Sequence, residues 1–192
     1  MGRINKTSIL SGILVGIGVV INVFSANKYI GALLFSFALL AIMKLQLQLY
    51  TGQIGFLLDK KYSIVDYMHM LLYNMCGALI PTLLLISVNN NLLERMIEIS
   101  CQKFGHTYYE LFIYGLFCGV LMMIAVYCKE TIITVFCIMI FILSGYEHCI
   151  ADFPFLLLNI SFVNIIKFSM IALGNSVGAI ITYSLIKAGD KS

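Results

Sequence analysis

Glu147, His148 and Asp152 stand close together in SGYEHCIAD, a polar island in an otherwise apolar part of the chain. An imidazole, with an unperturbed pKa of about 6.5, can hold or give a proton at cellular pH. Carboxylates beside it can orient it or supply counter-charge. In hydrocarbon all three groups are costly unless the protein shelters them. Gly145, just before them, is the residue type that lets a helix break. One chemistry open to this trio is hydrolytic or metal-based, because His148 and Asp152 are four apart on one helix face with Glu147 adjacent. A catalytic zinc site wants three protein ligands, however, and no His or Cys partner recurs at a suitable spacing. GxSxG and HExxH are both absent. The expectation is therefore no enzyme, no metal and no cofactor. The other chemistry is a sheltered polar station along a transmembrane path.

The rest of the chain favours that second reading. It has 192 residues, 61% hydrophobic and 11% charged, with a mean hydropathy of +0.99, where soluble domains carry about 25% charge. Thr7 to Asn27, Leu111 to Cys128, Thr131 to Tyr146, Phe153 to Ile166 and Phe168 to Ile186 are free of charge. Several of these approach the ~20 residues that cross a bilayer as helix. The net charge of +3 is scattered and gives no nucleic-acid footprint. Met1 to Lys6 is basic, but the glycine-containing run behind it leads into further spans and does not read as a signal peptide. The six cysteines form no CxxC pair and read as packing residues.

Six helices fit, at about 8–25, 29–57, 63–88, 108–127, 131–156 and 164–187. Tyr29, Tyr62, Tyr67, Tyr108, Tyr109 and Tyr127 fall near their ends, at headgroup level. With the N-terminus inside, Arg3, Lys6, Lys60, Lys61, Lys129, Lys187 and Lys191 are cytoplasmic, against Lys28, Arg95 and Lys103 outside; this predicts cytoplasmic termini. Gly12-x-x-x-Gly16 in span 1 matches Gly115-x-x-x-Gly119 in span 4, and Asn74-x-x-Gly77 in span 3 matches Asn175-x-x-Gly178 in span 6. Two repeats of three spans each, about 8–88 and 108–187, must be inserted with opposite orientation, as in many transporters.

The fold expected is thus an all-α membrane protein, a single channel domain built as an inverted repeat. Spans 2 and 5 are the middle helices of the halves and are the two with polar interruptions, KLQLQLYTGQIG and SGYEHCIAD. Broken there, they would aim half-helix N-termini, with free N–H groups, at a central cavity that attracts anions.

These motifs resemble the formate/nitrite transporter family of bacterial and archaeal membranes, whose members pass small monovalent anions. SGYEHCIAD is similar to the family's Gly-aromatic-Glu-His-x-x-Ala-Asn signature in a broken fifth helix. LYTGQ is similar to its Leu-Phe-Thr loop. LYNMCGALI and LGNSVGAII are similar to its Asn-x-x-Gly segments, and IAVYC to the close of its fourth helix. The resemblance implies an aquaporin-like protomer, a homopentamer in the cytoplasmic membrane of a prokaryote, and both termini inside. It implies His148 facing the pore between two apolar constrictions, with Thr51 as polar neighbour. Phe35, Leu39, Leu49, Tyr50 and Phe141 fall on constriction positions, and Asn74 and Asn175 on the asparagines of helices three and six.

Three positions depart from the pattern: Gln48 before Leu-Tyr-Thr, Asp152 in place of asparagine, and Lys44 in a normally apolar stretch. Lys44 and Asp152 could alter selectivity or compensate each other as a buried pair. The short segment before span 1 puts any gating by a longer N-terminal helix in doubt.

A bare anion faces a desolvation cost of order 20 kcal/mol in an apolar pore. The conjugate acids of formate, nitrite and hydrosulfide are weak, so neutralisation offers an escape. The mechanism expected has His148 donating a hydrogen bond or proton, Thr51 orienting the anion, and Phe35, Leu39, Tyr50 and Phe141 excluding water. Glu147 is expected to hold the break through backbone N–H groups, and Lys129 to gather anions at the cytoplasmic mouth. His69 and His106 read as structural, Lys167 as snorkelling, and NNNLLERMIEISCQKFGH as an outer-surface helix without chemistry. The alternative is a channel for a neutral solute such as ammonia or water.

Overall fold

The computed structural model describes residues 2–190, with side chains from residue 6 onward; the side chain of Arg3, and Lys191, lie outside the described residues. The described chain is helical, with no strand. Among the described residues four helices are long and apolar enough to cross a membrane: Lys6–Phe24 (the apolar part of α1, Gly2–Phe24), α4 (Ile64–Ile86), α6 (Tyr108–Cys128) and α9 (Phe162–Gly189). Two interrupted segments complete the apolar framework. In the first, α2 (Lys28–Lys44) is followed by a break, the short α3 (Tyr50–Gln53) and a 3-10 turn (Ile54–Asp59). In the second, α7 (Thr131–Leu143) is followed by a break and α8 (Cys149–Leu158). Between α4 and α6 lies α5 (Asn90–Gly105).

α1 packs on α4, and α6 on α9, at backbone contact distance. A Cβ on Gly12 would stand 2.1 Å from Asn74 O, and one on Gly119 would stand 2.2 Å from Asn175 O. Gly77 and Gly178 meet Ile9 O and Leu116 O in the same way. The equivalent of Gly12 is therefore Gly119, one helical turn beyond the Gly115 that motif matching selects. A small-xxx-small pattern looks the same after a one-turn slip, so only packing can set its register.

Both breaks have the same backbone. Leu47 N–H bonds Ile42 O and Gln46 N–H bonds Met43 O, at 2.9 and 3.1 Å. Tyr146 N–H bonds Phe141 O and Gly145 N–H bonds Ile142 O, at 2.9 and 3.2 Å. This is the paired closure that ends a helix on a left-handed residue. Gly145 adopts φ 69° and Gln46 adopts φ 52°. Glycine reaches that region freely, whereas glutamine does so against its Cβ.

α5 is amphipathic: Leu92, Met96, Ser100 and Phe104 are buried on one stripe. Ser100 Oγ donates to Phe155 O at 2.7 Å, which seats α5 over α8. On the rest of the protein, large apolar side chains such as Phe37, Leu84, Ile132, Phe136 and Leu185 point outward, as a bilayer-facing surface requires. Tyr29, Tyr108, Tyr109 and Tyr127 are also exposed. Tyr67 is not: it is fully buried, its ring 5.6 Å from that of Tyr62, so it is a core residue and not a headgroup anchor.

Candidate functional site

The two breaks are held open by two asparagines in equivalent roles. Asn74 Oδ1 accepts the N–H of Tyr50 at 2.8 Å, while its Nδ2 donates to Gln48 O at 2.9 Å and Ser8 O at 2.7 Å. Asn175 Oδ1 accepts the N–H of Cys149 at 2.9 Å, while its Nδ2 donates to Glu147 O and Gly115 O, both at 2.8 Å. Each amide thus replaces the helix partners that the break removes, and both asparagines are fully buried. The same bonds correct one expectation: the N–H groups of Tyr50 and Cys149 are not free to meet an anion.

His148 caps α8. Its Nδ1 accepts the N–H of Ala151 at 3.2 Å, so Nδ1 carries no proton. Its Nε2 lies 2.9 Å from Thr51 Oγ1. The tautomer that satisfies both contacts is neutral, with the proton on Nε2 and Thr51 Oγ1 accepting it. The ring can therefore present a hydrogen bond through Nε2. Becoming an imidazolium would forfeit the cap. Direct proton donation by His148 is the costlier half of the mechanism expected from sequence.

Two cavities flank this pair, toward opposite ends of α1. The larger, about 900 Å³, is lined by Thr7, Leu39, Leu49, Gln48, Gln53 and the three lysines Lys44, Lys61 and Lys129, with no carboxylate in its lining. Burial, and then repulsion from Lys129, holds the Lys61 ammonium below the ordinary lysine value; Lys61 Nζ also donates to Gln53 Oε1 at 2.9 Å. Gln48 Oε1 accepts from Tyr62 Oη at 3.1 Å. The smaller cavity, about 100 Å³, is lined by Phe35, Phe141, His148, Asp152, Lys103 and Asn22, among others. Phe35 and Phe141 meet edge to face at 5.8 Å, and Phe141 stacks on His148 at 5.9 Å. The five apolar positions named from sequence therefore divide. Leu39 and Leu49 belong to the large cavity, and Phe35 and Phe141 to the small one. Tyr50 lines neither; its hydroxyl is 2.8 Å from Ser176 Oγ.

The carboxylates are placed differently from the sequence expectation. Glu147 does not turn to backbone N–H groups; it takes a charge-assisted bond from Lys103. Asp152 does not pair with Lys44, which is exposed at the large cavity; its Oδ1 stands 3.0 Å from Lys103 Nζ. Lys103 is thus the residue that sequence reasoning missed, in the very helix read as having no chemistry. Burial alone would lower its pKa, but Asp152 and Glu147 more than offset that and hold it well above the usual lysine value. Lys167, read as snorkelling, donates instead to Phe104 O at 2.6 Å, at the end of the same helix. Among the described residues no group of three or more His, Cys, Asp or Glu side chains is placed to hold a metal.

A family model described as formate/nitrite transporter matches residues 2–189. The chain belongs to the formate/nitrite transporter family. Among solved structures it is similar to a pentameric formate channel with formate bound, at 20% identity over 98% of this chain and 96% of that one, with a TM-score of 0.81. It is also similar to an FNT family ion channel, at 19% identity over 97% and 89% of the two chains, with a TM-score of 0.76. No curated protein matches. At such identities the likeness is one of fold: the all-helical arrangement is that of formate/nitrite transporter channels. The family and both neighbours are channels and transporters, not enzymes.

Proposed function

We propose that this protein passes small monovalent anions of weak acids, with formate, nitrite and hydrosulfide as the candidate substrates, through one pore per protomer. The observation that carries the reading is the His148–Thr51 bond, 2.9 Å long, set between two cavities at opposite ends of α1. The chain then crosses a prokaryotic cytoplasmic membrane six times, as two inverted halves of three helices, α2/α3 and α7/α8 each crossing as a broken helix. The matching left-handed closures at Gln46 and Gly145, and the matching asparagines, support that arrangement. With both termini cytoplasmic, the large cavity is the inner mouth and the small cavity the outer vestibule. The likeness to a pentameric formate channel with formate bound supports formate as substrate and a homopentamer as assembly.

The three lysines of the inner mouth concentrate anions, since like-signed charge in a cleft raises local counter-ion concentration. Phe35 and Phe141 on the outer side, and Leu39 and Leu49 on the inner side, exclude the hydration shell. At the centre, Nε2–H of His148 bonds Thr51 Oγ1, which leaves the threonine hydroxyl proton to donate to the anion. Stripped of water, the anion gains from becoming its neutral acid along this path.

Formate, nitrite and hydrosulfide supplied in turn to liposomes carrying the purified protein test the reading. Rapid uptake of at least one is expected. Passage of ammonia or water with none of the three anions would overturn it and favour the neutral-solute channel.

A further inference from the structure

We propose that Glu147 and Asp152 share one proton at neutral pH, held at Asp152 Oδ2, and that this carboxylic acid is the proton source for an anion in the small cavity. The inference rests on the anion-transport reading for its second half only.

The geometry carries it. Lys103 donates to both carboxylates, to Glu147 Oε2 and to Asp152 Oδ1 at 3.0 Å, so two acidic groups divide a single ammonium. Both carboxylates are buried, and both are gathered on the same Nζ. Asp152 Oδ2 is buried and has no donor. Two like charges crowded around one ammonium inside a protein cannot both ionise freely, and a buried acceptor without a donor is costly. One proton on Asp152 Oδ2 resolves both problems: it satisfies the orphaned oxygen, and it leaves one carboxylate to balance one ammonium. Among the described residues the other charges on the packed elements are engaged or distant: Arg95 of α5 donates to Val23 O at 3.3 Å. The charged side chain of α4, Asp66, is engaged in the cap at Ser63; Lys6 of α1 lies toward the opposite end of that helix; and Lys167 of α9 is bonded to Phe104 O. The remaining titratable neighbours are the buried thiols of Cys118 and Cys149, and His148, whose Nδ1 is taken by Ala151.

Asp152, Lys103 and His148 line the same cavity. An anion drawn there by Lys103 takes the proton from Asp152: the Oδ2–H bond breaks, the acid O–H (or S–H) bond forms, and the carboxylate pair is left with two negative charges. A proton carried in as hydronium from the outer solution returns to Oδ2, leaving water, and restores the shared-proton state. The neutral acid moves on past Phe35 and Phe141.

Infrared spectra of the protein in lipid vesicles, without added anion, test the proton itself. At about pH 7 a protonated-carboxyl carbonyl band is expected that fades as pH rises and is missing in Asp152→Asn. Absence of that band in wild type overturns the proposal, as does a band unchanged in both Asp152→Asn and Glu147→Gln. Transport tests the donor role. Between outer pH of about 6 and 8, wild-type formate uptake should fall about tenfold or more, and the Asp152→Asn response should stay below about twofold. A wild-type pH response retained by Asp152→Asn overturns the donor role. A carboxyl band without any anion flux would sink the transport reading while leaving the shared proton in place.

Discussion

Thr51 Oγ1 and His148 Nε2 meet at 2.9 Å although 97 residues separate them in the chain. Thr51 stands in the first turn of α3 and His148 is the cap of α8, so this bond joins the two breaks directly. Because His148 Nδ1 is spent on Ala151, Nε2 is the nitrogen left to act, and Thr51 is where it acts.

The asparagines should matter for stability before they matter for transport. Asn175→Ala leaves the N–H of Cys149 and the carbonyls of Glu147 and Gly115 without their partner. An orphaned buried group costs about 1–3 kcal/mol. A clear fall in Tm is expected, with Asn74→Ala behaving alike, read by thermal unfolding in detergent. Unchanged melting in both variants would show that the breaks do not depend on these amides.

At the two left-handed positions, glycine and non-glycine substitutions should have opposite signs. Gln46 is exposed, so Gln46→Gly relieves backbone strain with no packing lost and should stabilise by about 1 kcal/mol, while Gly145→Ala should destabilise by about 1–2 kcal/mol. The two melting temperatures, measured side by side, decide this.

Lys103→Met removes the counter-charge of the buried Glu147–Asp152 pair. Breaking a buried pair in this way typically costs about 3–5 kcal/mol, and acidification, which neutralises carboxylates, should recover part of the loss. The sign for Lys103 itself runs the other way. Its pKa is raised in the folded protein, so its contribution is complete below the ordinary lysine value of about 10.4 and fades only as pH rises through the higher folded value. Between pH of about 5 and 9 wild-type stability should therefore owe no slope to Lys103. Melting curves of wild type and variant across that range check both statements.

The polar island and its glycine were legible in sequence because ionisable groups in an apolar run are conspicuous. Asn74 and Asn175 were legible through their shared Asn-x-x-Gly spacing. Gln46 was silent, since a left-handed glutamine leaves no compositional mark. Lys103 was hidden by its helix: α5 reads as a surface amphipath, and only the seating of Ser100 on Phe155 turns that lysine inward. The partner of Asp152 was likewise left open, with Lys44 as one possibility, because sequence shows which charges exist but not which helix face meets which; the structure gives Lys103. The one-turn error at Gly115 has the same origin.

The most direct test of the central claim is formate uptake into liposomes by wild type, His148→Asn, Thr51→Val and the double variant. Asparagine is a good N-cap, so His148→Asn keeps α8 in place while removing the ring. If the pair acts as one station, each single change should cut uptake by about tenfold or more, and the double should be no worse than either. Singles that conduct like wild type, or losses that multiply in the double, would contradict the account.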